Sequence, residues 1–321
     1  MSDSDELLLA GDIGGTHARF RLVSRADLIT PICQATFSDC SVDVALRNMI
    51  CKIGNDRSRL RSVGIGIAGR VVDGDVHITN RPGETITNES IAAALRMPPG
   101  DVVVANDMVA HLAGTPFCKV DSLREGVSVG NVEGIVMPGT GLGVGAQIFI
   151  DGTPHPLPSE GGHLTFGSPR HDFEPIRASL NRQVKGDHVS WEEAVSGPAL
   201  PRLLRALDPA TDATPTQVTE FYKAGHRGCT QAVRAFLLLV GARLGNLCLD
   251  LLATRRLLIG GSILNDLFDH DAEFVTKHVL QGLSMIGPEV LRPTISQTPV
   301  QLLRSSDSGL IGAATLALRA G

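Results

Sequence analysis

The sequence predicts an α/β protein in two lobes, and three observations carry that expectation: length, continuous apolar runs between helical patterns, and a glycine turn between strands that occurs twice. A chain of 321 residues with 43% hydrophobic content divides most readily into two domains, each with its own core. The parallel-strand signature is clearest at Val102 to Ala105. Three valines and an alanine run without a polar break, as in a strand covered on both faces.

In chain order, Leu7 to Ala10 reads as a strand and Phe20 to Val23 as its partner, with Gly11-Asp12-Ile13-Gly14-Gly15-Thr16 between them. Paired glycines let backbone N–H groups converge on an anion, while Thr16 can add a hydroxyl and Asp12 can orient a metal-bound water. A plain β-hairpin fits the same residues. No Gly-Lys-Ser/Thr closes the turn, so it is not a P-loop. Arg61 to Ala68 predicts a third strand, and Val71 to Thr79 a hairpin arm around Asp73-Gly74-Asp75. A helix over Ile91 to Met97 follows Asn88-Glu89-Ser90, and Pro98-Pro99-Gly100 stops it before the valine strand. At the end of that strand Asn106 and Asp107 precede the helical pattern Met108 to Ala113. Ligands gather at the carboxyl ends of strands in open α/β sheets, so Asp107 is a candidate for chemistry; an N-cap is the plainer alternative.

After Gly114 the pattern predicts a loop to Gly134, then a strand from Ile135 to Pro138 entering Gly139-Thr140-Gly141-Leu142-Gly143-Val144-Gly145. Gly141, Gly143 and Ala146 satisfy the dinucleotide pattern G-x-G-x-x-A, but that motif requires a helix next. Ala146 to Ile150 and Asp151-Gly152 read instead as strand and turn. This second glycine turn repeats the first, and the pair can grip one polyphosphate. Glu160-Gly161-Gly162-His163 brings a carboxylate and an imidazole together without the further ligands of a zinc site, in a loop that suits a polar ligand or faces solvent. Helical patterning dominates from Phe173, with Trp191 to Val195 ended by Ser196-Gly197-Pro198, a loop from Asp208 to Pro215, and helices over Val218 to Ala224 and Ala232 to Leu252. Gly241, Ala242 and Gly245 suit close helix packing. Arg256 to Ile259 is a strand into Gly260-Gly261-Ser262, before a helix that begins at Ile263. That glycine pair fits a bare backbone against a nucleotide or a simple strand-to-helix turn. Val300 to Leu303 is a strand, and Gly309 to Arg319 a helix returning to the first domain.

Composition narrows the function. A net charge of -5 supplies no basic field for a phosphate backbone or an anionic membrane. Aromatics are 4%, with Trp191 and Tyr222 single representatives, which disfavours a stacking platform. The 35 glycines exceed the average usage of about 7% and indicate many tight turns. The six cysteines, Cys33, Cys40, Cys51, Cys118, Cys229 and Cys248, lack C-x-x-C spacing and read as reduced thiols in a cytoplasmic protein. The acidic amino terminus lacks the features of a signal peptide. The apolar segment Ala235 to Ala253 carries Arg243, Asn246 and Asp250 and reads as a buried helix.

Taken together, GDIGGT (Gly11 to Thr16), ANDMVA (Ala105 to Ala110), PGTGLGVG (Pro138 to Gly145), SEGGH (Ser159 to His163), Glu192 ahead of Ser196-Gly197-Pro198, and GGS (Gly260 to Ser262) run in an order that resembles the bacterial ATP-dependent glucokinase family. The resemblance implies a two-lobed hexokinase/actin-like (ribonuclease H-like) fold with the active site in the interdomain cleft. It implies a small domain of residues 1–111 completed by 303–321, and a large domain of residues 112–302. It implies that Asp107 is the catalytic base and that Asn106, Glu160, His163 and Glu192 bind the sugar. Gly14, Gly15, Thr16, Gly139, Thr140 and Gly141 would cradle ATP phosphates, Asp12 would stand near Mg2+, and Gly260 and Gly261 would lie by the adenosine. The implied partners are glucose and ATP, with no nucleic acid and no membrane, and a homodimer is left open.

Three departures from the family pattern bear on substrate preference and efficiency. His17 stands where Asn usually follows GGT, Arg70 follows Ala68-Gly69 where Pro is common, and Arg81-Pro82-Gly83 replaces the usual Trp after Thr79-Asn80. The cysteine-rich zinc motif of the related repressor and kinase group is missing, which favours the zinc-free branch. The alternatives are an inactive or sugar-sensing paralogue, or a kinase for another hexose. An actin-like ATPase would share the phosphate turns but has no need of SEGGH beside Asn106-Asp107.

Overall fold

The computed structural model describes residues 6–15, 17–72, 75–78, 85–184 and 188–320. Thr16, the Asp73-Gly74 turn, Thr79-Asn80 and Arg81-Pro82-Gly83, all singled out in the sequence, lie outside the described residues. The chain folds into two compact units: Met1–Cys118 with Pro156–Ser159 and Ser305–Gly321, and Lys119–His155 with Glu160–Arg304.

The strands of the first unit are β1 (Leu7–Ile13), β2 (His17–Ser24), β3 (Cys33–Ser38), β4 (Leu60–Ile67), β5 (Gly69–Val72), β6 (Asp75–Ile78), β7 (Thr85–Thr87) and β8 (Val102–Asn106). Five form one sheet in the order β3-β2-β1-β4-β8, and β5, β6 and β7 form another. β1 runs parallel to β4, and β4 to β8, so their carboxyl ends share one edge. All seven residues of β1 are buried because both faces are covered. Leu7 and Leu9 pack with Val42, Leu46 and Met49 of the Val42–Ile53 helix, while Leu8 and Ala10 pack with Leu310, Ala313 and Ala317 of the Ser308–Ala320 helix. Alternating side chains thus fill two cores, each fully buried leucine contributing about 1.5–3 kcal/mol. The Ser308–Ala320 helix therefore belongs to this unit. Residues 25–59, unassigned from sequence, supply β3 and the Val42–Ile53 helix, whose N-cap Ser41 accepts from the Val44 N–H.

β9 (Val120–Arg124), β10 (Val132–Pro138), β11 (Leu142–Ile150), β12 (Thr153–Leu157), β13 (Arg256–Ile259) and β14 (Val300–Leu303) form one sheet ordered β12-β11-β10-β13-β14-β9, which belongs to the second unit except for Pro156 and Leu157 at the end of β12. The loop expected from Gly114 to Gly134 is thus interrupted by β9, antiparallel to β14. The Arg227–Leu251 helix runs through the core of this unit. It is the one helix among the described residues long and apolar enough to cross a membrane, and 83% of that stretch is buried inside the fold. Gly241 makes the close packing expected of it, since a side chain there would collide with the Val279 carbonyl of the Ala272–Leu283 helix. All six cysteines are free thiols.

Candidate active site

In the first unit, β1 and β2 form the hairpin that carries the first glycine turn. Gly14 donates its N–H to the His17 carbonyl at 2.9 Å, which closes the turn, and Asp12 stands opposite Arg19 in register. Asp12 is 9% exposed, and its carboxylate is held by the Arg19 guanidinium. Arg19 also donates to the Ser306 carbonyl at 3.1 Å, while Arg21 pairs with Asp307. The residues leading into the carboxyl-terminal helix are thereby fastened to the hairpin beneath the turn. His111 Nδ1 lies 2.8 Å from Ser308 Oγ, and burial pushes its pKa below the ordinary histidine value, with Asp12 opposing and Arg19 reinforcing that shift.

The alternative role for Asp107 as N-cap falls to its neighbour. Asn106 is the cap of the Asp107–Gly114 helix: its Oδ1 accepts from the Met108 N–H at 3.0 Å, and its Nδ2 donates to the Gly69 carbonyl at 3.1 Å. At 4% exposure, Asn106 uses one acceptor lone pair and one amide hydrogen on the fold. An amide has two of each, so one of each remains for a ligand. Asp107 is the first helical residue, and its Oδ1 also accepts from Met108 N at 2.8 Å. The parallel register aligns Asp12 with Gly66 and Ile67 with Asn106, so the Asp12 turn and Asp107 occupy the same carboxyl edge of the sheet. Ligands of open α/β folds bind at such an edge.

In the second unit the other glycine turn joins β10 to β11, and Gly139 donates to the Gly141 carbonyl at 2.8 Å. Here the second set of sequence-predicted residues converges. Glu192 Oε2 accepts from the Leu142 N–H at 2.9 Å, and a Cβ on Gly141 would land on that carboxylate. The Gly197 N–H donates to the Gly139 carbonyl at 2.8 Å, which ties the Ser196-Gly197-Pro198 breaker to the same turn. Glu160 and His163 face each other across a short 3-10 turn, carboxylate to imidazole 3.8 Å, each side chain 44% exposed and so open to a ligand. Burial pushes the Glu160 carboxyl above the ordinary glutamate range; His163 pulls it down, and Glu192 pushes it up. The segment after His163 is laced to the one before Glu192. Trp191 donates to the Leu164 carbonyl at 2.9 Å, Phe166 to the Val189 carbonyl at 2.8 Å, and the Phe166 and Trp191 rings meet edge to face at 4.9 Å. A capping box of Ser190 and Glu193 starts the Trp191–Ala194 helix and sets the direction of Glu192.

Gly260 and Gly261 follow β13, which pairs in parallel with β10, so they emerge beside the second glycine turn. The Gly260 N–H donates to the Val136 carbonyl at 3.2 Å. Asn265 Nδ2 donates to both the Gly261 and Leu303 carbonyls at 3.1 Å, fastening this turn to the end of β14. Arg19 and Asn265 were missed in the sequence. Arg19 was legible in principle, because hairpin register sets it across from Asp12. Asn265 carries no local signal, since its second partner is 38 residues away. Among the described residues no group of three or more His, Cys, Asp or Glu side chains gathers as a metal cage.

Mixed sheets with a glycine turn in each unit define a protein of the two-lobed hexokinase/actin-like class. The same fold occurs in a glucokinase from an Antarctic psychrotroph, with a TM-score of 0.77 at 24% identity over 97% of this chain and 98% of that one. It recurs in a glucokinase from Balamuthia mandrillaris solved with glucose, with a TM-score of 0.78 at 16% identity over 98% and 94%. The glucokinase family profile matches residues 9–320. The glucokinase of Caulobacter sp. (strain K31) is 28% identical over 95% of this chain and 93% of its own, and that of Stenotrophomonas maltophilia (strain R551-3) is 31% identical over 78% of each. The chain belongs to the glucokinase family. It is an ATP-dependent sugar kinase whose acceptor is glucose.

Proposed function

We propose that Asp107 is the general base of glucose phosphorylation. The glucose 6-hydroxyl oxygen attacks the γ-phosphorus of ATP, its proton passes to the Asp107 carboxylate, and the bond from that phosphorus to the β–γ bridging oxygen breaks, releasing ADP. Asn106, Glu160, His163 and Glu192 hold the other sugar hydroxyls. Gly14, Gly15 and Thr16, together with Gly139, Thr140 and Gly141, cradle the phosphates, and Gly260 and Gly261 accommodate the adenosine. The observation that carries this reading is the division of labour at the end of β8: Asn106 caps the helix, so Asp107 is not required for that task. Phosphoryl transfer depends on positioning and charge stabilisation plus a carboxylate that accepts the hydroxyl proton, and this residue set supplies each.

Support for the ligands comes from a relative of the fold, a ROK family glucokinase from Streptomyces griseus solved with glucose and AMPPNP. The donor set also suits Mg2+. That ion takes hard oxygen ligands, usually one or two carboxylates with substrate phosphates and water, and Asp12 is one buried carboxylate at a phosphate turn. Asp12 would hold it, through water or directly, and the ion would neutralise phosphate charge. The six free thiols fit a reducing, cytoplasmic setting.

A coupled assay of ADP release with glucose, mannose, fructose and N-acetylglucosamine, run on the natural protein and on Asp107→Asn, tests the reading. Glucose should be the preferred acceptor, and the variant should lose turnover with every sugar. Retained turnover in Asp107→Asn would overturn the assignment.

A further inference from the structure

Arg243 sits in the middle of the Arg227–Leu251 helix and is 2% exposed, among the largest fully buried side chains of the described residues. A buried guanidinium is costly unless its donors are partnered, and this one is only partly satisfied. Nη2 donates to the Gly161 carbonyl at 3.2 Å, Nη1 lies 3.9 Å from the exposed Asp250 carboxylate, and Nε has no hydrogen-bond partner. The guanidinium carbon stands 5.9 Å from the centre of the Trp191 ring, within cation–π range. A leucine or methionine would avoid the desolvation cost but would make none of these contacts, so what the charge contributes lies in the groups it touches. Gly161 lies between Glu160 and His163, and Trp191 directly precedes Glu192. One side chain therefore contacts both segments that carry the carboxylates and imidazole assigned to the sugar.

We propose that Arg243 is a positioning residue that sets glucose affinity, holding the Gly161 carbonyl and the Trp191 ring so that Glu160, His163 and Glu192 keep a fixed spacing. The proposal rests on the sugar-binding role given to those three residues. It predicts an effect larger on the sugar than on ATP, because Arg243 touches Gly161 and Trp191, whereas the Gly139–Gly141 turn is linked to them through Glu192.

The test compares Arg243→Met, Arg243→Lys and Glu160→Gln by steady-state kinetics, with emission of Trp191, the single tryptophan of the chain, as a second readout. Arg243→Met should raise the glucose KM about 10- to 100-fold, the scale of a displaced contact, with the ATP KM changed less and the Trp191 emission shifted. Arg243→Lys keeps a donor for Gly161 but loses the planar face, and should recover part of the loss. Combining Arg243→Met with Glu160→Gln should cost less than the product of the single effects, because both act on one contact. An unchanged glucose KM in Arg243→Met, an equal rise in both KM values, or full additivity with Glu160→Gln overturns the positioning role. If Arg243→Met does not fold, Arg243→Lys must show the larger shift for glucose by itself, and its absence overturns the proposal equally. Glu160→Gln with an unaltered glucose KM overturns the sugar-site reading, and the proposal falls with it. A raised KM in Glu160→Gln beside an unaltered one in Arg243→Met removes the positioning role alone.

Discussion

Glu192 accepts a 2.9 Å hydrogen bond from the backbone N–H of Leu142, the first residue beyond the turn Gly139-Thr140-Gly141. A carboxylate assigned to the sugar is thereby fixed to a turn assigned to the phosphates. The contact needs a bare Cα at Gly141, where a Cβ would land on the carboxylate. Because that carboxylate ends a flexible side chain, Gly141→Ala should displace Glu192 without unfolding the unit. Losing a hydrogen bond to a charged group costs about 1.5–3 kcal/mol, so glucose should bind roughly 10- to 100-fold more weakly. The lost bond should also lower the melting temperature by several degrees while leaving the unit folded. A collapse of the melting temperature with sugar affinity intact would contradict this.

The raised pKa of Glu160 gives a pH dependence of defined sign. Its carboxyl is pushed above the ordinary value of 4.5, burial being the largest cause. A raised carboxyl pKa in the folded state contributes stability below the unfolded value, which is lost as pH rises through the folded pKa. Sugar binding runs the other way, because the ionised form is the better acceptor of a hydroxyl proton. Glucose affinity should therefore fall as pH drops through the raised pKa, and Glu160→Gln should remove that acid limb. Calorimetric titration of glucose across the mildly acidic range measures both profiles. Superimposable profiles would show that Glu160 does not carry the dependence.

The parts of the fold legible in the sequence, and those that were not, divide by position in the sheets. Arg256–Ile259 and Val300–Leu303 are central strands, and their apolar runs between breakers predict their limits as observed. β3, β7, β9 and β12 are not predicted, the sequence reading as loop through β7, and all four are edge strands. β3 and β12 alternate between intermediate and exposed residues, and β12 contains Pro154 and Pro156, which edges tolerate. β8 is also an edge: Val102, Val104 and Asn106 are buried but Val103 and Ala105 only partly, so the valine run marks the strand while the two covered faces it predicts are not found. The candidate site followed the same logic. Its glycines and acidic residues announce themselves locally, whereas Arg19, Arg243 and Asn265 act through partners far along the chain or across a hairpin.

The Asp12–Arg19 pair makes a separable prediction about stability and nucleotide binding. Arg19→Met leaves the buried Asp12 carboxylate without its guanidinium, which should cost about 1–3 kcal/mol. Adding Asp12→Asn removes the stranded charge and should restore much of that loss. ATP binding should stay weak in the double variant, since the carboxylate assigned to Mg2+ is gone. Urea unfolding with ATP titration resolves the two effects. Restored ATP affinity in the double variant would remove Asp12 from the phosphate site.

Asn106 and Asp107 are adjacent, and substitution can separate structural from chemical duty. Asn106 holds the Met108 N–H and the Gly69 carbonyl from a buried position, so Asn106→Ala forfeits the cap and leaves a buried carbonyl unpaired. A lost cap costs about 0.5–2 kcal/mol, and the unsatisfied acceptor adds about 1–3 kcal/mol. Asp107→Asn keeps an oxygen able to accept from Met108 and leaves the Asn106 cap in place, but removes a negative charge from the helix amino terminus, so stability should fall by about 1 kcal/mol or less, below the loss in Asn106→Ala. Its effect should fall on turnover. General-base assistance is worth about 100- to 10,000-fold, and kcat should drop by that range while glucose and ATP still bind. Denaturant curves and single-turnover kinetics on the two variants give the decisive contrast. Were Asp107→Asn to unfold easily and turn over normally, Asp107 would be a capping residue and the base would have to be sought elsewhere on that sheet edge.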